Sequence, residues 1–220
     1  MSHDAWRVQE ADYPASGSTE ERLRFLLRYA VLAPSSHNSQ PWRFHITDGR
    51  IDLYADPRRR LPIADPEDRE LTISCGAALC HLRLAMRYFG QAATVEPAPD
   101  PENPDLLASV TPAGPHAPDD TDRALFRAIT RRFTHRGAFQ DTSVPPALRH
   151  MMQALVEREG AGLECLSRPE SKAQVAQMVA EADRHQGGDP PFRRELAEWM
   201  RTGWSRRKDG LHARALGVGR

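Results

Sequence analysis

A ten-residue segment, residues 33–42, constrains this chain more than any other stretch of its sequence. It reads APSSHNSQPW, with hydroxyl and amide side chains packed between two prolines. Proline has a fixed φ angle and disfavours helix at the residue before it, so the segment is expected to be a stiff loop. Hydroxyl and amide groups both donate and accept hydrogen bonds. The segment therefore predicts a loop that meets a flat polar ligand, although proline and serine also occur where a helix simply ends and turns.

The loop lies between a predicted helix and a predicted hairpin. Ser18 followed three residues later by Glu21 is a capping-box pattern, which opens a helix that ends before the loop. Beyond the loop, apolar and polar residues alternate over residues 42–47 and 50–55. The Asp-Gly pair at residues 48–49 is typical of a two-residue hairpin turn. We expect a helix, the loop and a hairpin in that order.

Further helices and short strands are expected after the hairpin. Apolar residues at helical spacing over residues 70–89 predict a helix about 30 Å long. Strands are expected at residues 94–96 and 106–111. The remaining expected elements are helices at residues 123–130, 145–158, 169–185 and 192–199 and a strand at residues 163–166. No closing strand is expected in the last twenty residues.

A proline-rich segment at residues 112–120 is interpreted as a linker between two units. Residues 1–17 are polar and lack periodicity, so they are expected to form an N-terminal arm. The first unit then covers residues 18–111, and the second covers residues 121–220. A chain of 220 residues is long enough for one large domain or two small ones.

Composition excludes several classes of protein. The 30 basic residues equal the 30 acidic ones, so no nucleic-acid or membrane partner is indicated. The apolar runs are too short to span a bilayer, and no signal-peptide pattern is visible. Cys75, Cys80 and Cys165 form no CxxC pair, and the histidines lack metal-binding spacing. We expect a cytoplasmic protein without a metal site.

Residues 131–139, RRFTHRGAF, form a second candidate motif. Arg132 and Arg136 are four residues apart, and the hydroxyl of Thr134 lies midway between them. Two guanidinium groups and a hydroxyl suit a phosphate or another oxyanion. Considered alone, the segment is equally compatible with a solvated charged surface.

The two segments resemble the signatures of the nitroreductase family, whose members bind FMN. Residues 33–42 resemble its flavin-contacting loop, and residues 132–136 resemble its Arg-x-Ser-x-Arg/Lys pattern, with threonine replacing serine. The resemblance implies an α+β nitroreductase-like fold with a central, mostly antiparallel sheet flanked by helices. It implies no role for His37 and leaves Gln40 and Trp42 chiefly to hold the loop. The implied cofactor-binding residues are Pro34, Ser35, Ser36, Asn38, Gln40, Arg132, Thr134 and Arg136.

The order of the two signatures indicates a fused pair of subunits. In the family the arginine signature usually precedes the loop within one subunit, and two subunits form an interlocked dimer. Here the arginine signature follows the loop, at the start of the predicted second unit. We interpret the chain as two fused repeats, the second incomplete and cut short at its C-terminus, which share one composite FMN site. This organisation resembles the Acg-like subgroup, and residues 204–211 are compatible with either the start of a lid over the flavin or a solvated basic loop.

The resemblance implies an oxidoreductase that passes electrons from NAD(P)H through FMN to a nitroaromatic or quinone acceptor. No catalytic side chain is assigned, because the flavin carries the chemistry. One open alternative is a protein that stores or sequesters FMN without turnover, and another is a remnant of the fold that binds nothing. The expected partners are NAD(P)H and a small electron-poor acceptor, without nucleic acid or membrane. A complete fusion is expected to be a monomer, whereas this chain is expected to be able to form a homodimer.

Overall fold

Six helices and six strands occur along residues 5–202 and 205–212, the residues that this computed structural model describes. Short 3-10 turns occur at Ala5–Arg7, Glu10–Asp12, Ser36–Asn38 and Pro57–Arg59. In chain order the helices and strands are α1 (Thr19–Ala30), β1 (Trp42–Thr47), β2 (Arg50–Ala55), α2 (Arg69–Tyr88), β3 (Gln91–Pro97), β4 (Leu106–Pro115), α3 (Asp120–Ile129), α4 (Pro146–Arg158), α5 (Pro169–Gly188), α6 (Pro190–Trp199), β5 (Met200–Arg201) and β6 (Leu211–His212). The predicted α+β class is confirmed.

The chain divides into two compact units. The first contains the residues up to His135 together with those from Glu195 onward, and the second is Arg136–Arg194. All the strands named above and the loop at residues 33–42 belong to the first unit, whereas α4 and α5 belong to the second. The interpretation of the chain as two fused repeats stays a prediction. Residues 1–4 of the predicted arm, and residues 203–204 and 213–220 of the predicted second unit, lie outside the described residues.

A four-stranded antiparallel sheet in the order β1-β2-β4-β3 forms the centre of the first unit. Strands β1 and β2 pair from Trp42 opposite Ala55 to Thr47 opposite Arg50. The turn at residues 48–49 has positive φ angles of 51° and 75°, as a type I′ hairpin turn requires. The predicted central antiparallel sheet is therefore confirmed.

Helices α1 and α2 pack with the sheet and with α3 around a buried apolar core. The capping box at the start of α1 is confirmed, since Glu21 N donates to Ser18 Oγ at 3.2 Å and Ser18 N donates to Glu21 Oε2 at 2.7 Å. Burying a large apolar side chain contributes roughly 1.5–3 kcal/mol, so each large side chain of this core stabilises the unit. Its most deeply buried members include Leu23, Leu26, Tyr29, Ile51, Leu82, Met86, Val110 and Phe126.

Two expectations about strands are wrong. Residues 163–166 form no strand, and no ladder partner for them occurs in the described part of the chain. A short alternating pattern becomes a strand only where a neighbouring strand accepts its hydrogen bonds. Conversely, a short strand near the C-terminus was not expected, yet β6 pairs in parallel with β5 through Met200 opposite Leu211.

Neither a membrane-spanning helix nor a metal cluster emerges from the described residues. No helix among them has the length and apolar character needed to cross a bilayer. No group of three or more histidine, cysteine, aspartate or glutamate side chains among them is arranged to hold a metal ion.

Candidate functional site

The loop after α1 takes an unusual backbone path. His37, Asn38 and Gln40 all have left-handed conformations, with φ angles of 53°, 52° and 53°. This region costs a residue with a side chain about 1–2 kcal/mol, with asparagine among the most tolerant types. Three such residues within four positions therefore require contacts from outside the loop to hold them.

Two of the three serine hydroxyls of the loop, those of Ser35 and Ser36, form hydrogen bonds within the first unit. Ser35 Oγ accepts a hydrogen bond from Gln40 N at 2.9 Å, which closes the loop on itself. Ser36 Oγ donates to the carboxylate of Glu70 in the first turn of α2. The Ser35 hydroxyl still has a proton to donate, and the Ser36 oxygen still has lone pairs to accept.

A segment near the C-terminus, residues 205–212, lies against the loop and is called the docked segment below. Gly210 N donates to Asn38 O at 3.0 Å, and Asn38 Nδ2 donates in return to Gly210 O at 3.0 Å and to Lys208 O at 3.2 Å. Gln40 Nε2 donates to Lys208 O at 2.9 Å. The amide groups of Asn38 and Gln40 therefore hold the docked segment.

One residue of the docked segment, Asp209, is the meeting point of three arginines. Its carboxylate accepts from Arg207 in two bonds of 2.9 Å each, from Arg201 at 3.2 Å and from Arg59 at 3.1 Å. Burial alone raises the pKa of this carboxyl, but the hydrogen bonds from Arg207 and Arg201 outweigh burial and lower the pKa of Asp209 to about 2. Arg59 also donates to Ser39 O at 2.6 Å, which joins this charge cluster to the loop.

Arg132, the first residue of the arginine signature, contacts the residue that precedes the loop, Leu32. Arg132 Nη2 donates to Leu32 O at 3.3 Å, directly after α1, and Arg132 Nε is buried without a hydrogen-bond partner in the described part of the molecule. Burial lowers the pKa of the Arg132 guanidinium. A partly desolvated cation interacts more strongly with an anion than one in bulk water does.

The other predicted site residues are placed differently. Pro34 is exposed near the start of the loop, and Thr134 is exposed beyond α3. Arg136 is exposed and belongs to the second unit. The structure thus places Arg132 at the start of the loop that contains residues 35–40.

Sequence reasoning missed several residues around the loop. Glu195 is buried and accepts from the backbone N–H groups of Ile63 and Ala64, at 2.9 Å each. Burial lowers the pKa of His37, and the carboxylates of Glu195 and Glu70 partly oppose this shift. The missed residues Arg59, Glu70, Glu195 and Asp209 carry no local pattern; only the Asp-Gly pair at residues 209–210 indicated a turn.

Two proteins of Mycobacterium tuberculosis strain H37Rv with provisional NAD(P)H nitroreductase names resemble this chain. One is 38% identical over 179 residues, which are 81% of this chain and 51% of that protein. The other, named acg, is 30% identical over 201 residues, which are 90% of this chain and 59% of that protein. The chain belongs to the nitroreductase family.

A more distant nitroreductase relative is the protein provisionally named NAD(P)H nitroreductase PigM, from Serratia sp. strain ATCC 39006. It is 29% identical over 146 residues, which are 63% of this chain and 40% of PigM. The chain spans about half the length of the curated relatives that match it first. No family model matches the chain. The nitroreductase assignment therefore rests on these relatives and agrees with the α+β fold described above.

Of the segment expected to be either a lid or a basic loop, residues 205–211 form most of the docked segment. Trp204 lies outside the described residues. Asp209, Gly210 and Leu211 are buried, so this part of the segment is not a solvated loop. Whether it covers a bound flavin stays a prediction.

Proposed function

We propose that this chain carries an FMN-binding oxidoreductase site that takes electrons from NAD(P)H and passes them to an electron-poor acceptor, a nitroaromatic or a quinone. The observation that carries the proposal is Arg132, whose guanidinium is partly desolvated and reaches the chain that enters the loop. The provisional NAD(P)H nitroreductase names of the relatives support the same class of reaction.

The residues around the loop fit FMN by their chemistry. A buried donor without a partner costs roughly 1–3 kcal/mol, so an anionic group that accepts from Arg132 Nε would stabilise the site. The hydroxyl proton of Ser35 and the oxygen of Ser36 can serve the ribityl chain or the ring edge. Asn38 and Gln40 are committed to the docked segment, and we assign them to holding the loop.

The roles of the remaining predicted residues rest on the sequence pattern. Pro34 would stiffen the entry to the loop, and the Thr134 hydroxyl would donate to the flavin phosphate. Arg136 would be a second cation for the same cofactor. These assignments remain part of the proposal.

Bound FMN would supply the hydride and electron chemistry, so the protein's part is to bind the cofactor, orient it and stabilise its charge. Arg132 would stabilise negative charge on the phosphate or the pyrimidine edge of the ring. The serine hydroxyls would fix the orientation of the cofactor, and the loop would keep them in place. No side chain is required as an acid or a base in this scheme.

The first test is the visible absorption spectrum of the purified protein, with any released chromophore identified by chromatography. We expect a flavin band and release of FMN. One FMN for each chain supports a site complete within the chain, and one FMN for two chains indicates that a second copy completes it. A protein that stays colourless after incubation with FMN would overturn the proposal.

Turnover requires a separate measurement on the flavin-loaded protein. NAD(P)H oxidation is followed at steady state with a quinone and then with a nitroaromatic acceptor. Sustained oxidation of NAD(P)H supports the proposed oxidoreductase activity. If FMN is bound but NAD(P)H is oxidised with neither acceptor, the result would instead support a protein that stores the flavin.

A further inference from the structure

We propose that Asp209 is a positioning residue that keeps His37, Asn38 and Gln40 of the loop in their left-handed conformations. Its consequence for flavin binding rests on the proposed function. Its consequence for the loop does not, and can be measured without flavin.

The loop needs an external support, and the docked segment provides it. Three left-handed residues in four positions are unfavourable by themselves, so hydrogen bonds from outside must compensate. Four hydrogen bonds join Asn38 and Gln40 to the backbone of Lys208 and Gly210. Asp209 lies between these two backbone partners, so its position determines theirs.

The charge of Asp209 keeps the docked segment in place. Arg59, Arg201 and Arg207 converge on its carboxylate, and the Asp209 side chain is 9% exposed. Without that negative charge, three guanidinium groups would repel one another at short range, and that of Arg201 is buried. Hydrogen bonds to an ionised group are also stronger than those between neutral groups. Replacing the carboxylate by an amide therefore releases the segment.

Arg59 gives the cluster a second connection to the loop. The same Nη1 atom donates to Asp209 Oδ2 at 3.1 Å and to Ser39 O at 2.6 Å. Ser39 is buried and lies between the left-handed residues Asn38 and Gln40. Asp209 thus acts on the loop through Arg59 as well as through the backbone of the docked segment.

The test is hydrogen exchange of the peptide that covers residues 33–42 in Asp209→Asn, by mass spectrometry in the absence of FMN. We expect exchange about tenfold faster than in the wild type, because a charge-assisted network holds the loop. The matched control is Asp52→Asn, since Asp52 is also buried and bound to an arginine, Arg50 at 3.1 Å, but lies in the sheet. The control should leave exchange in the loop unchanged.

Two further variants distinguish a local effect on the loop from general unfolding of the protein. Arg207→Ala removes one exposed partner of Asp209 and should speed loop exchange in the same direction by a smaller factor. Asp209→Glu keeps the charge and should restore part of the protection. Unchanged loop exchange in both Asp209→Asn and Arg207→Ala would overturn the proposal, as would equal acceleration in Asp52→Asn.

Flavin affinity provides the second measurement. FMN titrated into Asp209→Asn should show a dissociation constant about tenfold higher than in the wild type, with rescue by Asp209→Glu, since the network joins charged groups. If the wild type binds no FMN, the proposed function fails while the exchange result still decides the role of Asp209. If loop exchange changes but FMN affinity does not, the part of the proposal that concerns binding is wrong.

Discussion

Asn38 and Gly210 are joined by a reciprocal pair of hydrogen bonds, although 172 positions separate them in the sequence. The backbone N–H of Gly210 donates to Asn38 O, and the Asn38 amide donates to Gly210 O, each at 3.0 Å. The loop that carries the family signature and the segment near the C-terminus are therefore parts of one structure.

Gly210→Ala should destabilise the protein. Gly210 has a φ angle of 80°, and a Cβ atom there would lie 2.4 Å from Trp199 O and 2.7 Å from Arg201 Nε. The left-handed backbone and the overlap with a backbone atom together should lower the free energy of unfolding by about 2 kcal/mol or more. Urea denaturation measures this change.

The matched control for this substitution is Gly76→Ala. Gly76 is an exposed position inside α2, and a Cβ atom there would meet nothing within 4 Å. Alanine is a better helix former than glycine by about 0.5–1 kcal/mol, so this variant should be slightly more stable. Equal stability of Gly210→Ala and the wild type would contradict the tight packing of the docked segment.

Asp209 should contribute stability that is lost at low pH. Its folded pKa, about 2, lies below its ordinary value of 3.8, so its stabilising contribution is fully present above about pH 4 and disappears as the pH falls towards 2. The difference in unfolding free energy between the wild type and Asp209→Asn should therefore shrink over this range. Urea denaturation at a series of pH values tests it, and a difference that stays constant from pH 5 to pH 2.5 would count against the charge network.

Arg132→Ala should weaken FMN binding far more than Arg131→Ala does. Arg132 is partly desolvated and contacts the chain before the loop, whereas its neighbour Arg131 is exposed. Loss of a charge-assisted contact to the cofactor should raise the dissociation constant for FMN about tenfold or more. Quenching of flavin fluorescence measures both variants. Equal affinities for the two would remove Arg132 from the proposed site.

Cys75 should be inert to thiol reagents in the folded protein. It is fully buried, burial raises its pKa to about 12, and its Sγ donates to Pro41 O at 3.4 Å beneath the loop. Cys80 and Cys165 are exposed. Because the thiolate is the reacting form, two thiols should be titrated at pH 8 in the native protein and three after unfolding. Rapid reaction of all three in the native protein would show that Cys75 is accessible.

Local chemistry allowed much of the fold to be predicted. The capping box at Ser18 and the Asp-Gly turn at residues 48–49 act over a few residues, so sequence spacing predicts them well. The failed strand at residues 163–166 illustrates the limit of such patterns. A strand depends on a partner elsewhere in the chain, and no short pattern reveals whether that partner exists.

The candidate site, like the fold, could be predicted from the sequence only in part. The motif at residues 33–42 was sufficient to indicate the nitroreductase family, and the relatives confirm that family. The motif did not indicate that Asn38 and Gln40 bind the backbone of residues 208–210, or that Asp209 lies among three arginines.

The sequence by itself therefore determined the order of the six helices and of β1 to β4, the hairpin, the chemical character of the loop and the family. Only the tertiary structure decided which polar groups in and beside the loop are already bonded: the Asn38 amide holds the docked segment, whereas Arg132 Nε has no partner among the described residues. The physical reason is that a hydrogen-bonding side chain can bond to any of several possible partners. Its choice among them depends on which distant backbone the folded chain brings within about 3 Å.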